Sequence, residues 1–399
     1  MNLSFNKKYF DGEVSHGFVS LFTGKTIVFI ASGLLGLFLP IFLYNLFKEN
    51  FRLVVLYYGL GYLFYGFLMV WGARLLSRFG FRRSLRYSVF LGALFYLIFY
   101  FVNDNNFIYL IPLSVLVIVF FRLLYWIPYH VDFAKFTDSK NRAREISILF
   151  AASLVISIII PVLAGFIITR FGYDILFIIA TILFLVSGIP YLTIPRTQEK
   201  FEWSFKETFN YFFSKQKRKM ILAYMAEGAE NVVGLIVWPI FIFQLLNRNY
   251  LEVGVVSTLI VGVTVLMQLF LGKYIDKNKK ERILHIGSVL YSLGWVFKIF
   301  IATAFQIFIV GTYHNLAKIF ITTPFEALTY DIAADNGHYV DEFTVLREMA
   351  VQLGKVLMVI FVIIISFFAA IQWTFVLAAI AALLLNLLRA KDAQLLPRV

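Results

Sequence analysis

Twelve long apolar segments dominate the chain and fix the solvent in which it folds. They run over Ser20–Leu46, Leu53–Leu75, Leu85–Val102, Phe107–Tyr129, Ile146–Thr169, Asp174–Leu192, Met220–Leu246, Val253–Leu271, Ile283–Ala302, Phe305–Ala333, Val345–Phe368 and Ile371–Leu388. A hydrocarbon core ~30 Å thick takes a helix of about 20 apolar residues. Hydrophobic residues make up 61% of the chain, well above a soluble domain, so these runs read as membrane spans rather than core helices. Inside a bilayer no water satisfies the backbone, which leaves helices or a closed barrel. The runs are about twice the length of the alternating strips of a barrel, so the expected class is an all-α membrane protein. The first run is too long for a signal peptide and counts as a span.

Charge sets the orientation. Lys and Arg crowd the N-terminus, the connections after the even-numbered spans and the C-terminus. The opposite side carries only Lys48, Arg52, Arg170 and Arg248. Basic loops stay in the cytoplasm, so both termini are expected there, in a cell inner or plasma membrane. The net charge of +13 therefore reports topology, not a nucleic-acid partner. With no cysteine there is no disulfide, thiol nucleophile or thiolate metal site. The chain has no H-E-x-x-H pair and no Gly-rich phosphate loop, so neither metal hydrolysis nor direct ATP drive is expected, and no cofactor.

The second half of the chain echoes the first. Pro40-Ile41-Phe42-Leu43-Tyr44-Asn45-Leu46 matches Pro239-Ile240-Phe241-Ile242-Phe243-Gln244-Leu245 at an offset of 199. The same offset carries Ser77-Arg78 onto Asp276-Lys277. The fourth and tenth spans correspond in either of two registers, one pairing Pro128 with Pro324 and the other Asp132 with Asp331. The organisation expected is 1–193 as one six-helix half, 220–399 as a parallel copy, and 194–219 as a linker; parallel repeats suit alternating access. In the linker Phe201, Phe205, Phe209 and Phe212 share one helical face, with Glu202, Lys206, Glu207 and Asn210 opposite. That pattern is an amphipathic helix on a membrane surface, with Lys215, Lys217, Arg218 and Lys219 among headgroups.

Over its whole length this arrangement resembles the major facilitator superfamily. That family's signature, G-x-x-x-D-[RK]-x-G-[RK]-[RK], follows its second span, with a weaker copy after the eighth. Here Gly272-Lys273-Tyr274-Ile275-Asp276-Lys277 keeps the glycine, acid and base of the second copy. In the first copy Ser77 stands where the family has aspartate, followed by Arg78 and Gly80. The resemblance assigns Gly272, Asp276, Lys277, Ser77, Arg78 and Gly80 to conformational gating. Ser153, Ser157, Pro161 and Gly165, at four-residue spacing, form a face of small residues for close packing and faintly resemble the family's G-P-x-x-G-G antiporter motif.

The resemblance also implies that spans one, four, seven and ten line a central cavity. A charge inside a span costs at least ~2.5–3.5 kcal/mol, so it faces a partner or a wet cavity. Arg122 lies in the fourth span with Tyr125, Trp126 and Tyr129. Glu227, Glu230, Asn231 and Trp238 lie in the seventh, and His314 and Lys318, four residues apart, in the tenth. The expected site uses Arg122, Lys318 and His314 for a negative group, the aromatics and Asn231 for the body of the solute, and Glu230 or Glu227 as a proton carrier. Lys25, Lys298 and Lys355 read as snorkelling or packing residues. The function expected is a monomeric secondary transporter of a small anionic or amphipathic organic solute, proton-coupled and not an enzyme. The alternatives are a lipid flippase and an integral membrane lipid-modifying enzyme.

Overall fold

The computed structural model describes residues 15–136, 142–195, 203–276, 279–335 and 340–389. Helices account for nearly all of them. α1 (His16–Leu46) is bent at 37–38, and α2 (Phe51–Phe79), α3 (Phe81–Phe101) and α4 (Phe107–Phe136) follow it. One continuous stretch, Arg142–Leu192, breaks at Gly172 into α5 (142–171) and α6 (173–192). A short linker helix α7 (Phe205–Phe212) precedes α8 (218–245), α9 (Tyr250–Asp276), α10 (Lys280–Lys298), α11 (Ala304–Asp335), α12 (Val340–Phe368) and α13 (Ile371–Leu387).

Eight helices among the described residues are long and apolar enough to cross a membrane, and the one over Ala152–Leu192 holds two crossings. The other crossings are α10 and α11, diluted by polar residues such as Lys298, His314 and Lys318, and the shorter α13. The twelve expected spans are thus all present. Several helices run beyond their apolar runs: α3 starts at Phe81 rather than Leu85, and α12 at Val340 rather than Val345. Hydropathy marks where a helix leaves lipid, whereas its hydrogen bonds continue into water.

The repeat at offset 199 extends into backbone geometry. Lys48 and Glu49 end α1 in left-handed conformations (φ 53° and 65°), as do Asn247 and Arg248 after α8 (φ 50° and 64°). Four non-glycine residues in that region, at equivalent positions, are a shared structural device. Proline disturbs both helices in the same register. Pro40 follows the bend of α1, and Pro239 follows a π-helical turn, Val233–Val237. A proline removes a donor and crowds the preceding turn, which each helix relieves locally.

Glycines and one threonine set the close contacts. Gly228 of α8 abuts the Val351 carbonyl and Gly354 of α12 abuts the Met225 carbonyl, so the two backbones interlock with no room for a Cβ. The small face of α5 does pack closely: Gly165 meets the Tyr250 carbonyl and Gly254 of α9. Pro161 opens the α5 ladder there. The Thr258 hydroxyl of α9 fills the gap, accepting from the Val162 N–H (3.1 Å) and donating to the Ile158 carbonyl (2.9 Å).

The linker helix is capped by Ser204, whose hydroxyl accepts from the Glu207 N–H, while Glu207 accepts from the Ser204 N–H at 2.6 Å. These bonds, the backbone one foremost, hold the Glu207 carboxyl below its ordinary pKa. Phe201 and Glu202 lie outside the described residues. Phe205 is exposed and Phe212 buried, so the apolar face turns partly into the protein. Trp203 stacks on Tyr211 (4.3 Å), Lys217 lies over the Tyr211 ring (4.2 Å), and Arg74 of α2 donates to the Trp203 carbonyl (3.0 Å).

Candidate functional site

A cavity of about 740 Å³ lies between the helix sets. α2, α4, α8, α11 and α12 supply most of its polar lining, with Ser32 of α1, Tyr96 of α3 and Tyr291 of α10. Besides the packing of α5 on α9 and of α2 on α12, a group of polar contacts joins the sets at the end holding the 47–50 and 246–249 connections. There Arg248 pairs with Glu49 (2.7 Å), the Asn45 amide donates to the Tyr250 hydroxyl (2.8 Å), and the Gln244 amide donates to the Tyr44 hydroxyl (2.6 Å). Arg52 of α2 donates to the Ser366 hydroxyl and carbonyl and lies over Phe367 of α12.

Of the residues expected at the site, Arg122, Trp126, Glu227, Glu230, Asn231 and Lys318 line this one cavity. Tyr125, Tyr129, Trp238 and His314 do not. Tyr125 and Tyr129 stack behind Trp126 and cage the Lys25 ammonium, which lies 4.3 Å from the Trp126 ring centroid. Trp238 faces Lys298, which sits 4.0 Å from both the Trp238 and Trp295 rings. His314 shares a helix with Lys318 but is buried against Tyr291 (4.3 Å) and Trp295 (4.5 Å). Spacing puts the two on one side of α11, but Tyr291 of α10 screens the histidine from the cavity.

The charges of the lining balance: Arg122, Lys318, Arg347 and Lys355 against Glu227, Glu230, Glu326 and Glu348. Their pairing is uneven. Arg347 reaches Glu227 at 2.9 Å and Glu326 at 3.6 Å. Glu230 accepts from the Tyr291 hydroxyl at 2.5 Å, and Glu348 accepts from the Gln352 amide at 3.3 Å. Among the described residues, no carboxylate lies within 4 Å of Arg122, Lys318 or Lys355. Instead these cations rest on rings: Arg122 over Tyr62 (5.4 Å) and Tyr65 (6.0 Å), Lys355 over Tyr62 (4.8 Å), Lys318 over Tyr291 (5.9 Å).

Sequence reasoning missed the tyrosine wall of α2 (Tyr57, Tyr58, Tyr62, Tyr65) and the α12 group Arg347, Glu348 and Gln352. A signal existed for both. Tyr58, Tyr62 and Tyr65 recur at helical spacing, and Arg347, Glu348, Gln352 and Lys355 share one face of α12.

The sequence profile of the Major Facilitator Superfamily matches residues 21–226, just over half of the chain. The chain belongs to the major facilitator superfamily. It is therefore a multi-pass membrane protein of that superfamily, with the twelve-helix fold of two six-helix halves. Solved structures agree on the fold. The peptide transporter POT in complex with sulfate superimposes with a TM-score of 0.68, and a mutant of it in complex with alafosfalin with 0.67. Each is 10% identical and covers 93% of both chains. A Bacillus subtilis (strain 168) relative, uncharacterized protein YqgE, is 24% identical over 246 residues, or 59% of this chain. The chain spans 56% of that relative's length.

Within this superfamily frame, Ser77 and Arg78 lie in the last turn of α2, and Gly80 caps it with φ +85°. Gly272 and Asp276 lie in the last turns of α9, and Lys277 lies outside the described residues.

Proposed function

We propose that this transporter moves a small organic anion with an apolar or aromatic body, coupled to protons, by rocking residues 1–193 against 220–399 about the central cavity. The carrying observation is the cavity's split chemistry. Among the described residues no carboxylate lies within 4 Å of Arg122 or Lys318, while Glu230 lines the same space on α8. A desolvated cation without a partner is costly and attracts an anion from water. Glu230, which lines the same cavity as both cations, competes with that anion for them. Exposing the carboxylate to each side in turn makes its protonation a transport step.

The connections at 47–50 and 246–249 form the closed gate, and the cavity belongs to the inward-facing state, with both termini and the 194–219 linker in the cytoplasm of a cell inner or plasma membrane. The protein works as a monomer, since each copy carries both halves of the cavity. The test is uptake into proteoliposomes with and without an imposed pH gradient. Glu230→Gln, which can still accept from Tyr291, should abolish the response to the gradient while retaining substrate binding. Arg122→Ala should weaken binding. A Glu230→Gln protein that responds fully to the gradient refutes the coupling role.

A further inference from the structure

Arg122 and Lys355 come from different halves of the fold, α4 and α12, yet both rest on the ring of Tyr62. Glu348, in the same cavity lining, is engaged by Gln352. Neither cation has an ion pair or hydrogen bond among the described residues. Beside them Tyr65 lines the same wall, and its buried hydroxyl has no hydrogen-bond partner among the described residues.

Two like charges brought together in a partly desolvated wall repel each other, so the arrangement is unfavourable when empty. A buried hydroxyl without a partner adds to that cost. One ligand removes all three deficits: a group with two negative charges and several acceptor oxygens. A single carboxylate balances only one of the cations. Ring stacking on Tyr58 and Tyr62 remains for the rest of the molecule.

We propose that Arg122, Lys355 and the Tyr65 hydroxyl form a clamp for a dianionic phosphate-type group on an organic solute, and that filling it draws the two halves together. This rests on the organic-anion reading above and adds Lys355 as a specificity-determining residue. Lys318, which lies over Tyr291 of α10 and not over Tyr62, stays outside the clamp.

The test uses the full chain purified in an uncharged detergent and titrated with phenyl phosphate, benzoate, inorganic phosphate and dihexanoyl phosphatidic acid, read by tryptophan fluorescence and thermal shift. Phenyl phosphate should bind more tightly than benzoate. Lys355→Met should weaken phenyl phosphate about tenfold, the scale of one charge-assisted contact, and benzoate far less. Lys355→Arg should keep the preference, and Tyr65→Phe should reduce it. Replacing a partly buried cation with an apolar residue of similar length commonly preserves folding, and the thermal shift of the empty protein checks this. A phosphate-to-benzoate preference unchanged in Lys355→Met overturns the clamp, while a loss of benzoate binding in Arg122→Gln would leave the anion site standing. No binding of any probe overturns both. Binding of phosphatidic acid but not phenyl phosphate, with the same dependence on Lys355, supports the clamp and assigns the group to a lipid headgroup.

Discussion

Arg347 is the hub of the cavity's acidic side, and Arg347→Gln is the substitution whose cost the geometry fixes best. Its guanidinium lies 2.9 Å from Glu227 and 3.6 Å from Glu326. At an effective dielectric of about 20, these pairs correspond to gross attractions of about 6 and about 5 kcal/mol before desolvation is subtracted. The net is much smaller. Glu326 is 45% exposed, and water screens that contact, so little stability rests on it. Glu227 is 29% exposed and Arg347 18%, an intermediate case. Removing one partner of a buried pair costs about 3–5 kcal/mol, mostly by stranding the other charge. For this half-buried pair the expected loss is about 2 kcal/mol. Thermal unfolding followed by intrinsic tryptophan fluorescence should show Arg347→Gln melting several degrees lower. Glu227→Gln in the same protein should restore most of the loss, because it removes the stranded carboxylate, whereas Glu326→Gln should restore little. Equal rescue by both, or no loss in Arg347→Gln, would refute the reasoning.

Three further outcomes follow from other parts of the fold. Thr258→Val removes the hydroxyl that bridges the Val162 N–H and the Ile158 carbonyl, and should cost about 1–3 kcal/mol in the same unfolding assay, whereas Thr258→Ser should cost much less. Glu49→Lys sets a second cation against Arg248 and should open the gate; because the chain has no native cysteine, a single cysteine placed at Gly36 in the cavity wall should then label faster with a membrane-impermeant reagent from the 47–50 side. Asp276→Asn should slow transport while leaving substrate affinity within a few-fold, and unchanged transport would reduce the loop after α9 to a topology signal.

The fold was legible because the bilayer reduces the choices: a long apolar run in lipid is a helix, and a repeat at offset 199 makes two sets of them. The site was legible only in part, for a reason that Arg347 shows. Counting basic residues groups it with the cytoplasmic loops, because it stands only two residues past Val345, where the apolar run of α12 starts. The helix begins at Val340, so Arg347 is two turns inside it and aimed at Glu227 of α8. Hydropathy reads depth along one helix and is blind to which neighbour that depth is shared with. His314 failed in the opposite direction. Its spacing to Lys318 is right, but the ring of Tyr291, from another helix, takes the place facing the cavity. Lys355 looked like a packing residue because a lysine among apolar neighbours usually snorkels. What sets it apart is Arg122 on the same tyrosine ring, from a helix more than 200 residues earlier in the chain. A charge in a span states that a partner or a cavity exists. Which of the two it is depends on contacts between the halves, and those contacts are also what transport must break and remake.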